Sequence, residues 1–363
     1  MDPRRIAATP RHGLLLAAAA GLFPGYFALV MATGVVSIAS HILGLERFAV
    51  ALVAINWVAY AVLWILTLIR IVAFSARLLA DLSDHQRAPG FFTTVAATCV
   101  LGTQNAVVIG AHQVATLLWY LGIGLWVVVM YAFFTAVTVR ERKPSLAAGI
   151  NGAWLIAAVA TQSIVVLGGT IGAREAPAPA LQFLCLGMFM IGCMLYLAII
   201  PLIFYRLTFV QLSSRDFSPP YWITMGAIAI ATLAGSTLIL RLGSWPVLGP
   251  IAPFLKGFTL FFWAGATWWI PFLAALTVWR HFVRGDHFRY EPQVWGMVFP
   301  LGMYTTGTYQ LAQALELPFL VVIPQGFIYV AVIAWTLSFI GLVLMLARTL
   351  RDRVRAPVRG PTG

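Results

Sequence analysis

Six residues at helical spacing, Phe299, Gly302, Met303, Thr306, Gln310 and Gln313, form the row in this sequence where side-chain chemistry and helix breakers coincide. At 100° per residue they share one narrow face, an aromatic ring followed by hydroxyl and amide groups. The row holds no nucleophile and no titratable group, so its chemistry is limited to blocking and hydrogen bonding. Pro300 follows the ring. It cannot donate to the carbonyl of Gly296 and crowds it, which predicts a kink one turn below Phe299. The other use of these hydroxyls is to bond their own backbone, leaving a helix kinked for packing.

Similar stripes run through other apolar stretches. Thr33 and Ser37, with His41 at the end, form one; Thr98 and Asn105 form another, and Gln162 marks a third. Together with Thr306 and Gln310 these are the candidate lining of a polar path. His41, Arg174, Arg241 and Lys256 fall at the far ends of such stretches, where they attract anions or snorkel to lipid headgroups. His281, Asp286 and His287 are the best candidates for a catalytic set. Their spacing matches no metal-binding helix pattern and no nucleophile accompanies them, so the sequence predicts no enzyme, bound metal or cofactor. Cys99, Cys185 and Cys193 lie inside apolar runs, which makes them packing residues rather than a disulfide or metal set.

The elements that must position these side chains follow from composition. With 61% hydrophobic residues, 9% charged residues and a mean hydropathy of +0.92, the chain is an all-α integral membrane protein. Ten apolar windows, 22–42, 48–70, 91–111, 113–139, 150–172, 180–205, 219–240, 254–279, 293–315 and 319–347, are each long enough to cross a hydrocarbon core of about 30 Å. Runs this continuous exclude a membrane β-barrel. The membrane domain covers 21–348, between a cytoplasmic segment 1–20 and a basic tail 349–363. Met1–Ala20 resembles a signal peptide, but its apolar run continues to residue 42 and it is expected to be retained.

Charge gives an independent check. Placing both termini in the cytoplasm puts all but four of the 23 basic residues inside, including Arg4, Arg5, Arg11, Arg140, Arg142, Lys143, Arg215, Arg289 and Arg359. Only Arg47, Arg174, Arg241 and Lys256 remain outside, and a miscounted helix would destroy that bias. The net charge of +12 is spread over short loops, so it serves topology and the lipid bilayer rather than nucleic acid.

The windows repeat in pairs. Aromatic anchors at Phe27, Phe92, Trp154, Trp222 and Trp295 open the odd windows, and Ala32-Thr33, Ala97-Thr98 and Ala160-Thr161 echo inside the first three. Odd windows carry 24 Ser, Thr, Asn and Gln residues against 13 in the even ones. Unpaired polar groups are costly against lipid, so five hairpins should form a quasi-fivefold ring, odd helices inside and even helices outside, around an axial path. Close packing of the inner helices would recruit small and polar residues as well.

No Asp or Glu falls within any window, which argues against a cation path. Phe23-Pro24 with Thr33-Gly34, and Trp295 with Phe299-Pro300-Leu301-Gly302, resemble the tellurite-resistance/dicarboxylate transporter family of slow anion channels, tellurite-resistance homologues and malate and sulfite permeases. The resemblance covers about 20–348. It implies a pore through the odd helices, a phenylalanine on the ninth helix closing it, here Phe299, and a homotrimer. The wording of 23–34 and 299–304 is closer to the dicarboxylate branch, which implies a carrier of small anionic substrates such as malate. The alternatives are a gated channel for chloride or nitrate and an exporter of sulfite or tellurite-type oxyanions. A compact chain with short loops suits a bacterial inner membrane. Reporter fusions at either terminus are expected to be active only in the cytoplasm; an external reporter at one end would break the ten-helix count.

Overall fold

The computed structural model describes residues 10–355 except 175–176, 215 and 288–289. Arg4, Arg5, Arg215, Arg289 and Arg359, with 1–9 of the N-terminal segment and 356–363 of the tail, lie outside the described residues. Among the described residues the chain is helical, with no strand. Ten long helices follow in order: α1 (Ala28–Ile42), α2 (Glu46–Ala73), α3 (Phe92–Gln104), α4 (His112–Val139), α5 (Ile156–Ile171), α6 (Pro179–Phe209), α7 (Ile223–Ile239), α8 (Ala252–Val278), α9 (Trp295–Ala314) and α10 (Val322–Arg355). Each odd helix is opened by a short 3-10 turn, starting at Pro24, Ala88, Gly152, Pro219 and Pro292. Proline is at home there because the first N–H groups of a helix have no intrahelical acceptor.

The odd helices touch in cyclic order, α1 to α3, α3 to α5, α5 to α7, α7 to α9 and α9 back to α1. Their opening turns do the same. Gly152 makes the closest approach: a Cβ there would stand 2.1 Å from the backbone oxygen of Pro220, and one at Gly90 2.6 Å from the backbone nitrogen of Gly25. Each even helix lies against its hairpin partner and against the next odd helix, with α10 closing onto α1.

Nine helical segments among the described residues are long and apolar enough to cross a membrane. The window 293–315, expected to be a tenth of the same kind, becomes α9, a 20-residue helix with too many polar and breaker residues to be counted with them. It packs between α7, α1 and α10, so it has little need of a lipid-compatible surface. In α1, α3, α5 and α7, 83–100% of the most apolar window is buried, against 17–39% in the five even helices. Polar residues therefore sit where protein surrounds them.

The Thr echo has a structural cause. Thr33, Thr98 and Thr161 occupy one register, and each bonds an aromatic residue of the preceding even helix. Trp335 Nε1 donates to Thr33 Oγ1 at 3.0 Å, Trp126 Nε1 to Thr161 Oγ1 at 2.8 Å, and Tyr60 shares a 2.8 Å bond with Thr98. On α9, Thr308 accepts from Trp263 at 3.0 Å. The three cysteines are free and buried. Arg70 pairs with Asp81, which also binds Arg87 at 2.6 Å, so the one basic residue buried deep in α2 is compensated.

Trp335→Phe keeps an aromatic ring but deletes the donor together with the pyrrole ring of a buried indole. It is expected to lower stability by about 0.5–1.5 kcal/mol, read as a lower thermal midpoint in detergent, with Thr33→Val giving no further loss on top of it.

Candidate functional site

Three cavities follow one another along the line enclosed by the odd helices, and residues from all five helices or their opening turns line each of them. The first, about 420 Å³, lies at the N-terminal ends and is bounded by Phe23, Gly25, Ala28, Gly90, Thr93, Asn151, Ile156, Tyr221, Ile223 and Gly296, among others. The second is a void of about 10 Å³, roughly the space of one water molecule. It is lined by Ala28, Met31, Thr93, Ile156, Val159, Ile223, Gly296 and Phe299. The third, about 90 Å³, lies toward the C-terminal ends and is largely apolar.

The lining obeys one register. Ala28, Thr93, Ile156, Ile223 and Gly296 form a level shared by the first two cavities. Seven residues on, Val35, Val100, Ser163, Ile230 and Met303 line the third, and seven further on Ile42, Val107, Thr170, Thr237 and Gln310 line it again. Ile38, Thr103, Val166, Leu233 and Thr306 fill the level between. Seven residues are nearly two turns, so each helix presents one face to the axis throughout. At the fifth helix this register takes Leu155, and not Trp154, as the equivalent of Phe27, Phe92, Trp222 and Trp295.

Phe299 is 1% exposed and fills the narrow point. Pro300 lies inside α9, which continues through it, and packs its ring on Gly226 of α7, where a Cβ would stand 2.7 Å from Pro300 Cγ. Thr306 and Gln310 line the third cavity. The structure turns the other polar candidates elsewhere. Thr33 and Thr98 face the even helices as described. Ser37 donates to the Ala49 carbonyl at 2.7 Å, Asn105 accepts from Trp57 at 3.2 Å, and Gln162 donates to the Phe189 carbonyl at 3.0 Å. Thr33, Ser37, Thr98 and Asn105 stand roughly 100–180° around their helices from the lining register, whereas Gln162 lies beside it and turns its amide to α6, where it meets the Phe189 carbonyl. Polarity in an inner helix marks a dry hydrogen-bonding interface as readily as a path, and the stripes followed the former.

Thr103, Ser163, Thr170 and Thr237 line the path without having been singled out in the sequence. Their hydroxyls, with that of Thr306, donate to backbone carbonyls three or four residues earlier at 2.7–3.1 Å. Toward the cavity they offer lone pairs and methyl groups. Gln310 is bonded to none of the described residues and keeps its amide donors.

At the C-terminal ends the cationic candidates stay apart from the cavity lining. His41 Nδ1 is 2.8 Å from Glu46 Oε2, and Arg174 and Lys256 are exposed. Arg241 is half-buried with its Nε unpartnered, and burial holds its guanidinium below the usual value. The loop candidates are held locally: His281 Nδ1 is 2.7 Å from the Asp286 carbonyl oxygen, the Asp286 carboxylate meets Arg280 at 3.4 Å, and His287 is exposed. Among the described residues no group of three His, Cys, Asp or Glu side chains converges as a metal site.

At the opposite end five helix N-termini converge on the first cavity, each with the positive end of its dipole. Arg206 and Asp216 also line this cavity. The arrangement sets five helix N-termini around the first cavity, a buried aromatic ring at the narrow point and a largely apolar chamber beyond it.

Residues 21–343 match the voltage-dependent anion channel (SLAC1) family. The chain belongs to this family. The SLAC1 match spans nearly the whole membrane domain, so this is a multi-pass membrane protein of an anion-transport family, as Phe23-Pro24 and Phe299-Pro300-Leu301-Gly302 suggested. Similar proteins include an uncharacterized membrane protein of Mycobacterium tuberculosis, 38% identical over 43% of this chain and 79% of its own length. An uncharacterized transporter of Methanocaldococcus jannaschii is 24% identical over 87% of this chain and 91% of its own. A sulfite efflux pump of Trichophyton rubrum is 24% identical over 87% and 88%.

Gly226→Ala is expected to push Pro300 and α9 away from α7. Overpacking of this kind costs about 1–3 kcal/mol, so the thermal midpoint should fall and basal anion leak should rise; an unchanged midpoint and leak would remove Gly226 from the positioning of Phe299.

Proposed function

We propose that this protein carries small anions across a bacterial inner membrane along the axis of the five odd helices, with Phe299 as the gate. The observation that carries the reading is the common register of all three cavities, interrupted at Phe299 by a void no larger than a water molecule. In this reading all ten helices span the bilayer as a quasi-fivefold ring with both termini in the cytoplasm, which the distribution of basic residues supports. The 420 Å³ cavity is then the cytoplasmic vestibule. Family resemblance supports assembly as a homotrimer.

The gate works by volume and by chemistry. A buried phenyl ring leaves no room and offers no ligand in exchange for the water an ion must shed. Passage requires rotation of Phe299 or a shift of α9 about Pro300, where the carbonyl of Gly296 already lacks its helical donor. On the vestibule side, five helix N-termini raise the local anion concentration.

The substrate best suited to this path is a compact oxyanion such as sulfite. Beyond the vestibule no cationic side chain is among the residues lining the third cavity, so a single charge crosses at lower cost than two and sulfite would cross as hydrogen sulfite. The likeness to the sulfite efflux pump of Trichophyton rubrum supports this choice. A four-carbon dicarboxylate such as malate is the second reading, favoured by the width of the vestibule; it would cross as the monoanion.

Proteoliposome flux separates the readings. Sulfite flux that chloride or nitrate competes with, and that malate does not, supports the oxyanion. Saturable malate uptake blocked by other dicarboxylates supports the carrier. Phe299→Ala is expected to raise flux about tenfold or more, in line with removal of a steric barrier; unchanged flux would exclude Phe299 as the gate.

A further inference from the structure

The vestibule wall contains one guanidinium that the structure leaves under-used. Arg206 sits near the C-terminal end of α6, an even helix, and reaches the vestibule lining with its side chain only 7% exposed. Nε donates to the carbonyl of Ala147 at 2.8 Å. Nη1 is buried and has no hydrogen-bond partner. Nη2 lies 3.7 Å from Asp216 Oδ2, which is within ion-pair range but too long for a hydrogen bond. Leaving donors of a buried charged group unsatisfied is costly, and a guanidinium carries a rigid fork suited to two oxygens at once.

Asp216 stands on the other side of this gap. Its side chain is 45% exposed, and it is tied to its own loop rather than to Arg206: Oδ2 accepts from the Ser213 N–H at 3.0 Å. That bond, with the Ser213 hydroxyl and then Arg206, keeps the carboxyl below the usual carboxylate range. A fixed carboxylate therefore faces a fixed guanidinium across a loose contact, in a cavity where five helix N-termini already favour negative charge.

We propose that Arg206 is the anion-loading site of the cytoplasmic vestibule, taking a carboxylate or oxyanion through its free fork, and that Asp216 is a resident competitor which the arriving anion displaces. This deepens the transport reading above and rests on it. Two chemical consequences follow. An anion with two oxygens on one centre, such as sulfite, nitrate or a carboxylate, can satisfy Nη1 and Nη2 together, whereas chloride offers a single point. The competition also makes release easy, because Asp216, held by its loop 3.7 Å from Nη2, keeps compensating the guanidinium charge as the anion moves toward Phe299.

The test uses the full-length protein in oriented proteoliposomes, with sulfite and chloride each presented from the cytoplasmic side and then from the outer side. Arg206→Gln is expected to raise the half-saturating sulfite concentration about tenfold from the cytoplasmic side, with little change from the outer side and a smaller change for chloride. Arg206→Lys, which keeps the charge and loses the fork, should lie near Arg206→Gln for sulfite and near wild type for chloride. Asp216→Asn should act in the opposite direction and lower the half-saturating concentration several-fold. Its exposed side chain lets this variant carry the test if the arginine variants do not fold. Wild-type flux with unchanged half-saturation in Asp216→Asn and in whichever arginine variants fold would overturn the loading site and leave the transport reading standing. Absence of any anion flux in wild type would overturn both.

Discussion

The whole arrangement depends on the rule that polar groups in hydrocarbon must find partners within the protein. The odd helices are rich in Ser, Thr, Asn and Gln and in helix breakers, so they cannot face lipid. Even helices shield them and supply donors from their aromatic side chains, as Trp335, Trp126 and Trp263 do for Thr33, Thr161 and Thr308. Each such bond ties an outer helix to the next inner one, which sets both the spacing and the rotation of the inner helices. Once Thr33, Thr98 and Thr161 face outward, the register seven residues apart that begins at Ala28, Thr93 and Ile156 faces the axis.

The same rule decides the character of the path. Hydroxyls along the C-terminal cavity spend their protons on the backbone, so the chamber is a low-affinity space. Attraction is concentrated at the other end, where helix N-termini and Arg206 meet the vestibule. In the proposed transport, separating a collecting site from a weak passage avoids trapping the ion along the way, which is what conduction requires.

Much of this architecture is legible in the sequence because it is periodic. The hairpin repeat, the bias of basic residues and the greater polarity of the odd windows survive any error of one or two residues. The site is less legible. Thr33, Ser37, Thr98, Asn105 and Gln162 stand out by polarity, but polarity serves helix contacts and paths alike, and only orientation tells them apart. The lining is mostly Val, Ile and Ala, which look like any membrane helix until five copies are aligned. The anchor Trp154 is displaced by one residue from the structural register for the same reason: a tryptophan draws attention that Leu155 does not. Arg206 is hard to see in the sequence because a basic residue near a helix end is expected for topology, and sequence does not reveal an unpaired nitrogen. Phe299 and Pro300 stood out because an aromatic ring before a proline within a polar stripe is rare enough to be noticed.

The bond between Trp335 and Thr33 joins residues 302 positions apart. A chain emerging from the ribosome inserts α1 first and α10 last, so the partner of Thr33 is the last to be made. Until then the first inner helix has one exposed seam, flanked by a vacant place that only the final hairpin fills. Ring closure is thus a terminal event of synthesis, and chains cut short before α10 would leave the translocon with an open, unsealed barrel of helices. Such chains leave the Thr33 hydroxyl without the indole donor that the complete fold supplies.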